Sequence, residues 1–185
     1  MTRSAMRREQ RQEQEPGLEP VDMAVDHVRG SPAGRLIVEY GDYECPYSRQ
    51  AFRAIERVET ELAGSIRFAF RNFPLTGIHP HALAASAAAE AAALQGRFWD
   101  MHGLLFHRQK ALEDDDLRRY AAGLGLDMTA FDRDRAATAV LDRIRRDMRS
   151  GAATGEVLGT PTLFIDGAVH RAGYDPATLL EALAR

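Results

Sequence analysis

The sequence predicts a mixed α/β fold carrying an inserted all-helical block. Two strand-like runs, at residues 35–40 and 66–71, enclose one amphipathic helix. Residues 79–153 show helical periodicity and no strand signal. Strand signals return after residue 154, with a hairpin turn and a closing helix. Strands alternating with helices argue for a mixed sheet.

Residues 1–20 are rich in Arg, Gln and Glu, contain Pro16, Gly17 and Pro20, and have no apolar run. They read as a mobile tail without packing of its own, and not as a signal peptide. Val21 to Val28 alternates weakly, as an edge strand does, and Gly30-Ser31-Pro32-Ala33-Gly34 is a turn by composition. Leu36, Ile37 and Val38 mark a buried strand over residues 35–40. The helix from Pro46 to Ala63 spaces Phe52, Ile55, Val58 and Leu62 along one face and ends at Gly64, suited to a left-handed cap. Ile66 to Arg71 alternates as a strand, and Asn72-Phe73-Pro74-Leu75 ends it.

Residues 79–95 are Ala-rich, and residues 97–107 place Phe98, Met101, Leu104 and Leu105 at helical spacing. Asp114, Asp115 and Asp116 open a further helix, where acids suit the dipole, and Gly123 and Gly125 stop it. One long helix is expected from Met128 to Ala153, with a bend near Thr138; Arg143, Arg145, Arg146 and Arg149 alternate with Asp142 and Asp147 as a solvated face. Thr162 to Ile165 and Ala168 to Arg171 flank Asp166-Gly167, a two-residue hairpin turn. Tyr174 or Asp175 caps the last helix, with Pro176 near its first position and Leu179, Leu180 and Leu183 on one face. The divisions are a tail at 1–20, sheet segments at 21–78 and 154–185, and the insertion at 79–153.

The length of 185 residues fits one domain with an insertion. A net charge of −3 makes no case for nucleic acid or an anionic membrane, and no run of about 18 apolar residues suggests a membrane span. The expected location is the cytoplasm. Lys110 is the only lysine, which excludes a phosphate-loop lysine. His79 and His81 flank Pro80, and His102 and His107 are five apart, so neither pair has helix-face metal spacing; no metal is expected. His79 and His81 read as residues opening a helix, and His102 as a packed or partly exposed helix residue. Gly151 and Gly155 lack a lysine and a dinucleotide spacing, so nucleotide binding is unsupported. No local cysteine-protease signature surrounds the lone cysteine.

That cysteine, Cys45, sits where the first long strand meets the first helix, in Tyr40-Gly41-Asp42-Tyr43-Glu44-Cys45-Pro46-Tyr47-Ser48. Pro46 suits the first helical position. A thiol at such a junction sits beside unpaired helix N–H groups and the positive end of the dipole, and both favour thiolate. With one cysteine no internal disulfide can form.

Cys45-Pro46-Tyr47-Ser48, Phe70-Arg71-Asn72-Phe73-Pro74-Leu75, Phe98-Trp99-Asp100-Met101-His102 and Gly159-Thr160-Pro161-Thr162-Leu163-Phe164-Ile165-Asp166-Gly167 together resemble the DsbA-like thiol:disulfide oxidoreductases over about residues 35–185. The resemblance implies a thioredoxin-like fold with a helical insertion. It implies that Cys45 is the exposed nucleophile, that Pro161 lies on the cis-proline loop facing it, and that Thr160 pairs its backbone with an extended substrate. Pro46 and Tyr47 then flank the substrate, and Glu39, six residues before Cys45, is a buried acid near the redox site. Ser48 stands where the family has its second cysteine. A hydroxyl cannot resolve a mixed disulfide, so the expected chemistry is attack by Cys45 on a protein or glutathione disulfide, with an outside thiol for release. Glutathione is then a co-substrate, no bound cofactor is needed, and the Ser48 hydroxyl can donate a hydrogen bond to the Cys45 thiolate. Two other readings stay open: a redox-inactive peptide-binding module, and a glutathione-dependent isomerase or transferase that uses Ser48. The sequence leaves the oligomeric state open.

Overall fold

The computed structural model describes residues 17–185. Most of the tail expected at residues 1–20 lies outside them. The rest of it packs: Leu18 lies against a buried cluster, Glu19 pairs with Arg146, and the Pro20 carbonyl accepts from Arg71 Nη2.

Five strands form one sheet in the order β1-β3-β2-β4-β5. They are β1 (His27–Gly30), β2 (Arg35–Gly41), β3 (Ile66–Asn72), β4 (Thr162–Ile165) and β5 (Ala168–His170). β2 runs parallel to β3, while β1, β4 and β5 are antiparallel to their neighbours. The edge strand begins at His27, later than the alternation from Val21 suggests, because Asp22 accepts the Val25 and Asp26 N–H groups and closes a turn there. The Asp166-Gly167 turn has both residues at positive φ, 46° and 87°, as a two-residue hairpin requires.

Period-two alternation along β2 splits its side chains between two cores. Ile37 points into the larger one, with Phe68, Phe70, Leu163 and Ile165 from the sheet and Phe52, Ile55 and Val58 from α1 (Pro46–Glu61). Val38 and Tyr40 point into the smaller one with Ala69, Val157 and Phe164. The closing helix α7 (Pro176–Leu183) adds Leu179 and Leu183 to the larger core, and Asp175 caps it by accepting the Thr178 N–H at 3.1 Å.

Between β3 and β4 lie five helices: α2 (Ala82–Ala93), α3 (Phe98–His107), α4 (Asp114–Gly123), α5 (Met128–Arg135) and α6 (Thr138–Ala153). Every residue of α2 from Ala85 to Ala92 is buried, which is the environment its alanines suit. The acidic start of α4 is a capping box between Glu113 and Asp116.

The single helix expected over 128–153 is two helices. Phe131 and Val140 are nine residues apart, which on one straight helix puts them about 180° apart. Both are buried, and α5 and α6 both pack on α2, so the chain breaks at Ala137, whose ψ is 141°. The solvated face expected on α6 is also corrected. Arg145, Asp142 and Arg149 are exposed, but Asp147 is fully buried and accepts the Asn72 N–H at 3.0 Å. Arg143 pairs with Asp147, and Arg146 Nη1 lies 3.3 Å from Asp26. These charges seat α6 on the sheet. Gly151 permits the close approach: a Cβ there would stand 3.0 Å from ring carbons of Tyr40 and Phe73.

Candidate active site

β2 ends at Gly41 and α1 begins at Pro46, so residues 42–45 bridge the end of the sheet to the helix N-terminus. Cys45 is the helix N-cap, with extended backbone (φ −70°, ψ 121°). Its side chain caps no helix N–H; the thiol instead donates to the Thr160 carbonyl oxygen at 3.2 Å. This corrects two expectations. The sulfur makes no hydrogen bond to the helix amides, and Cys45 is 3 % exposed, with Thr160 of the facing loop against it. The Thr160–Pro161 peptide in that loop is cis. Pro46 and Tyr47 lie open to solvent, and Leu158, two residues before Thr160, is 92 % exposed.

Asp42 organises the bridge. Its carboxylate is fully buried and accepts four N–H groups: Glu44 N at 2.7 Å and Cys45 N at 3.3 Å on Oδ1, Leu75 N and His79 Nδ1 at 2.8 Å each on Oδ2. Ser48, also fully buried, accepts the Asp42 N–H at 3.2 Å. The Ser48 hydroxyl therefore bonds to the loop backbone and not to the Cys45 sulfur, contrary to the sequence expectation; one helical turn into α1 it faces back toward the start of the bridge.

The helical block holds the bridge from the other side. Gln109 Nε2 donates to the Tyr43 and Cys45 carbonyls, both at 2.8 Å. Glu44 accepts His81 N at 2.7 Å and pairs with His81 Nδ1 at 2.8 Å, while His81 Nε2 reaches Glu113 at 3.2 Å. The hydrogen bond that His81 donates to Glu44 is the main reason that the His81 imidazolium is favoured. The Tyr43 hydroxyl shares a 3.0 Å hydrogen bond with His102 Nδ1. His102 is 1 % exposed, and burial holds it neutral.

Glu39 lies on the same sheet face as Ile37 and is fully buried. Neither of its carboxylate oxygens has a hydrogen-bond partner among the described residues. Burial pushes its pKa up to about 8, with the Arg29 charge opposing. The acid is then mostly protonated at neutral pH and puts no full negative charge into the core. Gly41 makes room for it: a Cβ there would lie 2.8 Å from Glu39 Oε1 and 2.5 Å from the Phe70 ring.

The site thus gathers Cys45, Ser48, Pro46, Tyr47, Thr160 and Pro161, with Glu39 beneath Gly41. Sequence reasoning missed Asp42, His79, His81 and Gln109. Asp42 and Glu44 carry a signal in hindsight, as two acids within three residues of a lone cysteine; Gln109 carries none.

The family model described as Thioredoxin matches residues 23–185. Among curated relatives, the Na(+)/H(+) antiporter NhaA 1 of Mycolicibacterium gilvum (strain PYR-GCK) is 43 % identical over 169 residues, covering 90 % of this chain and 27 % of that protein. The NhaA 1 of Salinispora arenicola (strain CNS-205) is 44 % identical over 165 residues, 89 % of this chain and 25 % of its own length. The chain therefore spans about a quarter of the length of these relatives. Among the described residues no helix is long and apolar enough to cross a membrane. A thioredoxin-like oxidoreductase from Silicibacter pomeroyi DSS-3 superposes with a TM-score of 0.76 at 27 % identity, covering 86 % of this chain and 91 % of that one. BdbD from Bacillus subtilis (oxidised) gives 0.77 at 20 % identity, covering 91 % and 95 %. The thiol-disulfide exchange protein alpha-DsbA2 from Wolbachia pipientis gives 0.75 at 20 % identity, covering 88 % and 87 %.

Proposed function

The chain belongs to the thioredoxin family, and on that footing we propose that it is a thiol-disulfide oxidoreductase acting through Cys45 alone, with glutathione as co-substrate. The observation that carries this is the 3.2 Å contact of Cys45 Sγ with the Thr160 carbonyl, across the loop of Pro161 and at the N-terminus of α1. An extended disulfide substrate adds to the exposed backbone beside Thr160 and takes over that contact, freeing the sulfur. Cys45 gives up its thiol proton to water, and the thiolate attacks one substrate sulfur. The substrate S–S bond breaks, a mixed disulfide forms, and the other half leaves as a thiolate that takes up a proton. A second thiol attacks that mixed disulfide and returns Cys45. A site of this kind needs free thiol for release, which supports a reducing compartment such as the cytoplasm.

Exposed Tyr47, two residues after Cys45, and exposed Leu158, two residues before Thr160, support an apolar flank for a peptide substrate. The reading in which Ser48 activates a glutathione thiol has less support, because that hydroxyl is fully buried and bonded to Asp42. The antiporter named in the relatives is a transport protein; the matched quarter of it corresponds to this thioredoxin unit, so we propose that the redox unit serves such a transporter.

The test is mass spectrometry after exposure to oxidised glutathione. One glutathionyl adduct on Cys45, removed by reduced glutathione, is expected. No adduct on the native protein sinks the proposal.

A further inference from the structure

One recess near the start of α1, bordered by residues that bond the Cys45 carbonyl, has no part in the chemistry described so far. The turn after α3 brings His107, Arg108, Gln109, Lys110 and Ala111 against Arg49 of α1, and these residues line a recess of about 380 Å³. That is within the size range of small-ligand sites. None of its lining residues is acidic, although the chain carries a net charge of −3. Most arginines of the described chain sit against carboxylates, among them Arg29, Arg35, Arg71, Arg97, Arg118 and Arg135. Arg49, Arg108 and Lys110 are in no ion pair among the described residues, and Arg49 Nε is buried without a hydrogen-bond partner. The carboxylate that approaches the lining is Glu56, 3.9 Å from His107 Nε2; it offsets one charge of the cluster at most.

The recess is tied to the reactive residue from both walls. The Cys45 carbonyl accepts the Arg49 N–H at 3.2 Å and Gln109 Nε2 at 2.8 Å. The turn itself is anchored: the Arg108 N–H donates to the Leu104 carbonyl at 2.8 Å, the Tyr120 hydroxyl donates to the Ala111 carbonyl at 2.8 Å, and Leu112 is buried. Cations carried on an anchored turn, bonded to the backbone of the residue that bears the thiol and left without counter-charges, are a site for an anion that arrives with the substrate.

We propose that this recess is a carboxylate subsite, and that the substrate class of Cys45 is a small peptide disulfide bearing free carboxylates, of which oxidised glutathione is the probe. The proposal rests on the exchange chemistry given above for Cys45. In that step the Cys45 thiolate attacks one sulfur, the substrate S–S bond breaks, the new disulfide joins Cys45 to one half, and the other half leaves as a thiolate that takes a proton from water. The recess holds a carboxylate of the half that stays.

The test uses the full chain, whose single thiol makes every rate unambiguous. Cys45 is alkylated with anionic iodoacetate and with neutral iodoacetamide, and is oxidised with glutathione disulfide, its carboxyl-esterified form and neutral 2-hydroxyethyl disulfide. Each reaction is run on wild type and on the R108Q/K110Q variant, whose altered side chains are exposed. A unit charge about 8 Å away in water changes a local anion concentration a little over twofold. The double variant is therefore expected to lower the iodoacetate-to-iodoacetamide ratio roughly fivefold at low salt, with the difference disappearing near about 1 M salt. It should lower the glutathione disulfide rate by a similar factor, leave the neutral disulfide unchanged, and leave unchanged or raise the rate of the esterified form, whose remaining charges are ammonium groups. Ratios that are equal in the two proteins overturn the subsite while leaving the exchange reading intact. Alkylation without reaction toward any disulfide removes the exchange reading, and the proposed substrate class with it.

Discussion

The Ser48 hydroxyl accepts the backbone N–H of Asp42 at 3.2 Å, closing the bridge between β2 and α1 from the helix side. Both residues are fully buried. Ser48→Ala leaves that N–H without a partner, and the expected loss is about 1–3 kcal/mol of stability. Urea denaturation checks this as a lower midpoint at an unchanged slope. Ser48→Cys puts a second thiol where the family resemblance places one. Its glutathione adduct at Cys45 should then be transient, giving way to an internal disulfide; a long-lived adduct in mass spectra would contradict this.

Asp42 is the more sensitive member of the pair. Its carboxylate accepts from Glu44, Cys45, Leu75 and His79. Asp42→Ala strands several buried donors at once, and a loss of at least about 3 kcal/mol is expected. The local signature is loss of amide hydrogen-exchange protection at Glu44, Cys45 and Leu75. Retained protection at those amides would show that other groups hold the bridge.

Glu39 gives a pH dependence with a definite sign. Burial raises its pKa from 4.5 to about 8. Between those values the folded chain binds more protons than the unfolded chain, so stability falls as pH rises. Its contribution is complete below about pH 4.5 and lost as pH passes the folded value near 8. Asp147, raised by burial to about 6, adds the same sign over a lower window. Glu39→Gln removes the larger titration. Its unfolding free energy from urea titration should change less between pH 5 and pH 9 than that of wild type, by an amount on the order of 1 kcal/mol or more. Parallel curves for the two proteins would mean that Glu39 is ionised in the folded state.

Arg71 and Asp26 form a fork-to-carboxylate pair, at 3.1 and 2.9 Å, with both side chains fully buried. Asp26→Ala leaves the Arg71 guanidinium buried without a carboxylate, whereas Arg71→Met leaves Asp26 facing Arg146 at 3.3 Å and Arg143 at 4.0 Å. Asp26→Ala or Arg71→Met is expected to cost about 3–5 kcal/mol, whereas replacing both by apolar residues costs less than the sum of the two. A double-mutant cycle in chemical denaturation measures this; additive effects would show that the pair does not interact.

Much of the fold was legible because its signals are local. Ile37 and Val38 alternate between two cores, Pro46 starts a helix, Gly64 takes the left-handed turn that follows that helix, which ends at Glu61 with Leu62 as its cap and so short of the expected Ala63, and Asp166-Gly167 turns a hairpin. Each of these depends on one residue's backbone preference or on periodicity within a few positions. Misplaced features share one cause. The break at Ala137 exists because Phe131 and Val140 must both face inward. Asp147 and Arg143 read as a surface pattern until α6 is laid on β3, where they become buried partners of Asn72 and of each other.

By itself the sequence determined the strand–helix order, the helical insertion, the position of the lone thiol at a helix start and the absence of a second thiol within the chain. Only the tertiary structure decided what surrounds that thiol. Thr160 is 115 residues from Cys45, Gln109 is 64 away, and His79 is 37 from Asp42. Hydrogen bonds at such separations follow from how the sheet and the helical block close on each other. No periodicity or local propensity encodes them, because the distance that matters to a hydrogen bond is measured through space and not along the chain.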